Sequence, residues 1–216
     1  MTAPRFITLE GGEGTGKSTQ ARRLGAKLEE LGHKVTLTRE PGGSPGAEAI
    51  RALLVTGETN RWTPLGEALL HFAARQEHLA NTIRPALARG EWVICDRFVD
   101  STVAYQGAAQ GFDQSAITRL AELVIGDTMP ALTLILDLPV EVGLARAKSR
   151  AGAAPATQGS EDRYERMGTA FHETLRRTFL EIAKAEPTRC AVINAAQNMD
   201  EVARQIWHTV SSRLPV

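Results

Sequence analysis

The run Gly11-Gly12-Glu13-Gly14-Thr15-Gly16-Lys17-Ser18 has the spacing G-x4-G-K-[ST]. Glycines at these steps let successive backbone N–H groups turn inward as a nest for an anion. A helix that starts here adds its positive end. The Lys17 ammonium can then reach the β- and γ-phosphates of a nucleoside triphosphate, and the Ser18 hydroxyl offers a ligand to Mg2+. Gly11, Gly12, Glu13, Gly14, Thr15, Gly16, Lys17, Ser18 and Thr19 are the candidate triphosphate-binding residues. Context favours this over a glycine-rich turn without a ligand. The strand-like run Phe6-Ile7-Thr8-Leu9 precedes the loop and an amphipathic segment follows it.

The remaining chemistry lies mostly in arginines. A base-reading N-K-x-D segment and an L-S-G-G-Q-like segment are both absent from the sequence, which argues against a GTPase and a transporter-type ATPase. Asp96-Arg97 closes a third apolar run, Arg75 lies one helical turn after Phe72, and Arg146, Lys148, Arg150 and Arg163 bracket an uncharged stretch. Phosphoryl transfer is mostly positioning and charge neutralisation. Arginines on a closing flap therefore suit a small acceptor shielded from water. Asp96, at the carboxyl end of a strand, fits either a hydrated Mg2+ or an N-cap of the next segment. Asp137 ends a strand similarly, but Pro139 follows, which favours a capping or turn role. Phe72 has core spacing with Leu65 and Leu69; with Arg75 it could instead offer a stacking face and a hydrogen-bonding fork to a base. His33, His71, His78, His172 and His208 show no metal-ligand spacing and are read as structural or surface residues.

Positioning these groups requires alternating strands and helices, and the hydrophobic pattern provides them. Strands are predicted at Phe6–Leu9, Val35–Thr38, Trp92–Cys95, Leu132–Leu136 and 190–194. A helix from Lys17 carries Ala21, Leu24, Leu28 and Leu31 on one face and stops at Gly32. Further helices are predicted at about 47–55, at about 64–89 with a kink or fresh start at Pro85, at 113–126 capped by Asp113, and near 140–150 with Pro139 as first residue. The last two fall at 164–185 and 199–213. Mostly continuous apolar runs point to a parallel sheet covered on both faces. The expected fold is α/β, a doubly wound five-stranded parallel sheet in one domain, 1–216. A flap at about 146–163 has the neutral segment 151–160 at its centre.

The chain has 216 residues, with 25 Lys and Arg balanced by 25 Asp and Glu, and 43% apolar residues. That apolar content excludes a disordered chain, and the zero net charge disfavours a generic nucleic-acid binder. No run of 18 uncharged apolar residues occurs, so no membrane span is expected. Cys95 and Cys190 both sit in apolar runs and read as buried free thiols. With no recognisable signal peptide, they point to a reducing, cytoplasmic setting.

Five segments in order, Glu10–Thr19, Thr38-Arg39-Glu40-Pro41-Gly42-Gly43, Phe72-Ala73-Ala74-Arg75, Asp96-Arg97-Phe98 and Ser101-Thr102-Val103-Ala104-Tyr105-Gln106-Gly107, resemble the bacterial thymidylate kinases over essentially the whole chain. This is a family of P-loop nucleoside-monophosphate kinases with a lid segment. The resemblance implies ATP + dTMP → ADP + dTDP, with Mg2+, in a homodimer. It implies that Lys17 and the loop amides hold the ATP phosphates, Ser18 the metal, and Arg146 the adenine. Glu13 would accept a hydrogen bond from the sugar 3′-hydroxyl of dTMP. Phe72 would stack on thymine, with Arg75 on its edge and Gln106 assisting. Tyr105 would lie under the deoxyribose and crowd a 2′-hydroxyl. Arg97, and secondarily Arg39, would bind the dTMP phosphate, with Ser101 and Thr102 completing the pocket. Some members carry a catalytic arginine inside the loop, where this chain has Gly14. The charge of the transition state then falls to the flap, to Arg150 by preference or to Arg163. The expected catalytic set is Lys17, Arg97, Arg150, Arg163 and Glu13.

Overall fold

The computed structural model describes residues 5–151 and 163–216, the side chains of residues 150 and 151 excepted. Its sheet is made of β1 (Phe6–Glu10), β2 (Val35–Arg39), β3 (Trp92–Asp96), β4 (Leu132–Asp137) and β5 (Cys190–Asn194). The strands are parallel in the order β2-β3-β1-β4-β5. Chain order therefore reverses direction at β1, and the crevice beyond its carboxyl end is where such sheets hold ligands. The glycine loop leaves β1 at that point.

Alternation along the strands sorts the side chains between two faces. Ile7 and Leu9 pack with Leu24 and Leu28 of α1 (Lys17–Glu30) and with Val202 and Ile206 of α9 (Met199–Arg213). Phe6, Val93 and Cys95 face the other way. Opposite them lie Phe72 of α3 (Pro64–His78), Ile83 of the π-helical turn that follows it, and Ile117 of α6 (Gln114–Ile125). Burying one such side chain stabilises the fold by roughly 1.5–3 kcal/mol. Helix α1 ends as its sequence predicts. Gly32 adopts φ 85°, its N–H reaches the Glu29 carbonyl at 2.9 Å, and the His33 N–H reaches Leu28 at 3.1 Å.

Four boundaries differ from the sequence reading. The helix expected at 64–89 is α3, a π-helical turn at Leu79–Ile83 and a short α4 (Arg84–Ala88), with Pro85 opening the last piece. Helix α2 starts earlier, at Pro45, and runs to Val55 under an Ser44 cap. Helix α7 (Val140–Ala151) begins one residue after Pro139, and α8 (Thr169–Ala185) begins five residues after 164. A helical stretch had no forecast at all: α5 (Val99–Thr102) continued by a π-helical turn at Val103–Ala109. Among the described residues no helix is long and apolar enough to cross a membrane. Cys95 and Cys190 are buried and unpaired. The neutral flap residues 152–160 and the Arg150 side chain lie outside the described residues.

Candidate functional site

Two glycines facing each other bring the loop against α7. Gly14 has φ 69°, and a Cβ on it would lie 2.0 Å from the Gly143 carbonyl oxygen; one on Gly143 would lie 2.4 Å from the Glu13 carbonyl oxygen. Position 14 therefore has no room for an arginine. Helix α1 starts from Gly16, which offers no side-chain cap, and its first turn holds no acidic residue. Its leading amides are thus left to meet an anion. Thr15 Oγ1 donates to the Gly12 carbonyl at 3.1 Å, tying the loop to itself.

Lys17 Nζ lies on the carbonyl oxygens of Gly11 at 3.1 Å and Gly12 at 2.7 Å. Burial, reinforced by Arg97, brings its pKa down to about 8, against the opposing pull of Glu13 and Asp96. The Ser18 hydroxyl donates to the Asp96 carboxylate. These two hard oxygen donors, in contact at the start of α1, fit Mg2+, which keeps several waters and takes other ligands from phosphates. Among the described residues no group of three or more His, Cys, Asp or Glu forms a full protein cage.

Beside the loop lies a pocket whose walls include Glu13, His71, Arg75, Arg97, Tyr105 and Gln106. Arg97 adopts φ 71°, a left-handed conformation costing about 1–2 kcal/mol for a residue with a Cβ. Its Nη1 donates to the Gly11 carbonyl at 3.0 Å and Ser101 Oγ at 3.2 Å, and its Nη2 to Glu13 Oε1 at 2.8 Å. The guanidinium sits 5.0 Å from the Tyr105 ring centre, and Tyr105 Oη donates to the same Glu13 oxygen at 2.8 Å. Burial opposes ionisation of Glu13, but Arg97 and Lys17 outweigh it and hold the carboxyl at about 2. One carboxylate thus fixes the cation of one wall and the phenol of another.

Arg75 is held on the opposite wall. Its Nε donates to Glu40 Oε2 at 2.8 Å and its Nη2 to Thr102 Oγ1 at 3.2 Å. Glu40 Oε1 lies 3.0 Å from His78 Nδ1, whose ring reaches Thr38 Oγ1 through Nε2 at 2.6 Å. The Arg75 Nη1 is buried and has no protein acceptor. A buried donor left unsatisfied costs about 1–3 kcal/mol, which a carbonyl entering the pocket would recover.

Phe72 is not where a base would stack. It is 2% exposed and packs in the core with Phe6, Leu79 and Phe98. The residue that faces the pocket from that turn is His71, one full turn (i, i+4) before Arg75. The i, i+4 spacing of His71 to Arg75 is the signal in the sequence that marks it, although its type alone fits a structural or surface role. The Tyr164 hydroxyl proton is given to Glu67 Oε1 at 2.9 Å, so His71 Nε2, 3.0 Å away, must donate to Tyr164. Burial, with Arg75 adding to it against Glu67, lowers the His71 pKa to about 4. Arg51, on α2, also lines the pocket and went unremarked in the sequence; its Nη1 donates to the Pro41 carbonyl at 2.8 Å.

Other expected residues have different partners. Arg163 is fully buried and donates to the carbonyls of Leu54, Glu58 and Thr59 and, at 2.5 Å, to Glu67 Oε2. None of these belongs to the glycine loop. Arg39 is half-exposed and pairs with Glu48 at 3.3 Å. The Asp137 carboxylate takes Arg176 in two bonds of 2.7 and 3.0 Å. Arg146 Nη1 donates to the Ala195 carbonyl at 3.1 Å, just after β5. Gln106 Nε2 donates to Glu67 Oε1 at 2.7 Å.

A family model described as thymidylate kinase matches residues 9–206 of this chain. A thymidylate kinase of Caulobacter vibrioides is 56% identical over 214 residues, covering 99% of both chains. One of Bradyrhizobium sp. is 49% identical over 97% of this chain and 91% of its own. The crystal structure of thymidylate kinase from Ehrlichia chaffeensis superposes with a TM-score of 0.75 at 36% identity, over 95% of this chain and 97% of that one.

Proposed function

This chain belongs to the thymidylate kinase family, and we propose that the loop and the neighbouring pocket divide the two nucleotides of its reaction between them. It transfers the γ-phosphoryl group of ATP to dTMP, giving ADP and dTDP, with Mg2+. ATP lies with its phosphates on the amides of residues 11–19 and on Lys17, and its adenine against Arg146. Bound Mg2+ supplies charge neutralisation on the phosphate oxygens, and Ser18 and Asp96 are the residues that would hold it.

dTMP occupies the second pocket. The base lies against His71, with Arg75 Nη1 donating to an edge carbonyl and Gln106 assisting. Glu13 Oε1 is taken by Arg97 and Tyr105, which leaves Oε2 for the sugar 3′-hydroxyl. Tyr105 lies under the deoxyribose, and Arg97 and Ser101 hold the 5′-phosphate at the edge nearest Lys17. The acceptor phosphate oxygen attacks the γ-phosphorus as the bond to the β-phosphate oxygen breaks. The protein contributes alignment and positive charge. The developing charge falls to Arg150, with Lys148 beside it, because position 14 admits no arginine and Arg163 is otherwise engaged. The buried, unpartnered Arg75 Nη1 carries this reading, since it awaits a neutral carbonyl edge. ADP formation measured in parallel with dTMP, dUMP, dCMP and AMP tests it. Turnover of AMP as fast as that of dTMP would remove it.

We read the chain as one kinase domain over 1–216, since a single sheet draws strands from Phe6 to Asn194. A homodimer is supported by Leu65 (50% exposed) and Leu69 on α3 and Leu123 (81% exposed) on α6, apolar residues that a second copy would cover. Light scattering on the purified chain distinguishes one copy from two. The unpaired thiols favour the cytoplasm as its setting.

A further inference from the structure

We propose that Glu10 is a positioning residue for acceptor-phosphate binding: its carboxylate holds the backbone turn that aims Arg97. The inference rests on the reading of Arg97 as the ligand of the dTMP phosphate.

Glu10 ends β1, on the face shared with Phe6 and Thr8, and is fully buried. Its Oε1 accepts the Phe98 N–H at 2.7 Å and the Ser101 N–H at 3.3 Å, while Oε2 accepts the Ser101 hydroxyl at 2.6 Å. The Phe98 amide follows Arg97 directly, in the turn where Arg97 adopts φ 71°, and the Ser101 amide lies four residues after Arg97, in α5. The Ser101 hydroxyl in turn accepts Arg97 Nη1 at 3.2 Å. Glu10 therefore grips the turn through the backbone on one side of Arg97 and touches its side chain through one intervening hydroxyl. The Arg97 N–H is bonded to the Leu9 carbonyl at 2.9 Å, so β1 holds the turn at two adjacent points.

The turn is also braced from behind. Asp100, on α5, is buried and receives Arg189 in two bonds of 2.7 and 2.8 Å. Arg189 further donates to Thr133 Oγ1 at 2.7 Å, and Thr133 bonds Thr8 across β1 and β4 at 2.7 Å. This pair ties the turn to the sheet from behind, whereas Glu10 bonds Ser101, whose hydroxyl the Arg97 guanidinium itself contacts. A left-handed arginine without that hold would relax to an ordinary conformation and carry its guanidinium away from the phosphate position.

Reach, more than charge, is what this role demands. A glutamine keeps an oxygen for the two amides and an amide for the Ser101 hydroxyl; an aspartate keeps the carboxyl group but retracts it by one methylene. The experiment measures binding of dTMP and of thymidine, which lacks the phosphate, by calorimetry on the purified chain and its Glu10→Ala, Glu10→Asp and Glu10→Gln variants. Expected are a rise of tenfold or more in the dTMP Kd for Glu10→Ala and Glu10→Asp, thymidine within twofold of the parent, and Glu10→Gln within about threefold for both. Parallel loss of both ligands, or unchanged dTMP binding in Glu10→Asp, overturns the proposal. Should Glu10→Ala not fold, the Asp and Gln variants carry the same comparison. Arg97→Ala is measured alongside: if it fails to separate dTMP from thymidine, the phosphate reading of Arg97 falls. If it separates them and Glu10→Asp does not, only the role of Glu10 falls.

Discussion

Arg163 Nη2 lies 2.5 Å from Glu67 Oε2, and both side chains are fully buried. The same guanidinium closes the turn between α2 and α3 through three backbone carbonyls. Glu67 meanwhile collects Gln106, Gln110 and Tyr164 on its other oxygen. Removing one partner of such a pair leaves a buried charge uncompensated, at about 3–5 kcal/mol. Arg163→Ala is therefore expected to lose stability on that scale in urea unfolding. A variant as stable as the parent would show that the pair adds nothing.

His71 and Phe72 are adjacent in sequence and have opposite consequences. Phe72→Ala opens a cavity in the core and is expected to cost about 3–5 kcal/mol of stability, with dTMP affinity of the folded protein nearly unchanged. His71→Ala is expected to leave unfolding almost untouched but to weaken dTMP by the value of one base-stacking contact, roughly 1–3 kcal/mol. ATP affinity should hold in both. Titration of each nucleotide, paired with denaturation curves, separates the two effects, and an exchange of the outcomes would restore Phe72 as the base platform.

The low pKa of His71 makes a second test. Burial keeps the folded imidazole neutral down to about pH 4, whereas the unfolded one takes a proton near 6.5. Between those values the unfolded chain binds the extra proton, so stability falls as pH drops through the window and levels off below it. His71→Phe has no such group. The stability difference between parent and His71→Phe should be constant above pH 7 and shift against the parent between pH 6.5 and 4. A flat difference across the window would mean that His71 titrates normally when folded.

Much of this could be read in the sequence because two periods and one loop carry it. Continuous apolar runs announced five strands, and the glycine spacing marked the loop where chain order reverses. The stretch 99–109 escaped because Ser101, Thr102, Gln106 and Gly107 break the apolar rhythm; its helix is held by Glu10 and by packing on α8, which no local pattern encodes. The core spacing of Phe72 agrees with its burial, and only the family resemblance puts it, rather than His71, on the pocket face of α3. Phe72 has the more hydrophobic side chain and therefore goes to the core, leaving the polar His71 on the side that meets ligand. Arg163 misled for a related reason: a charged residue near a neutral loop looks mobile, and its burial depends on Glu67, almost a hundred residues away.

The sequence favours Arg150 over Arg163 as the cation that meets the transferred phosphoryl group, and their surroundings separate them further. Every described hydrogen bond of Arg163 goes to the α2–α3 turn or to Glu67, so moving it toward the loop would break a buried ion pair. Arg150 belongs to α7, the helix whose Gly143 touches Glu13 of the loop. A transition-state arginine contributes about 10³–10⁵ in rate in other phosphoryl-transfer enzymes. Arg150→Ala is expected to slow the single-turnover step by at least roughly 10³-fold, with dTMP affinity little changed. Arg163→Ala, corrected for its folded fraction, should keep that step within a few-fold of the parent. Rapid-quench measurement under saturating ATP makes the comparison. A large chemical defect in folded Arg163→Ala, with none in Arg150→Ala, would require Arg163 to leave Glu67 during every turnover.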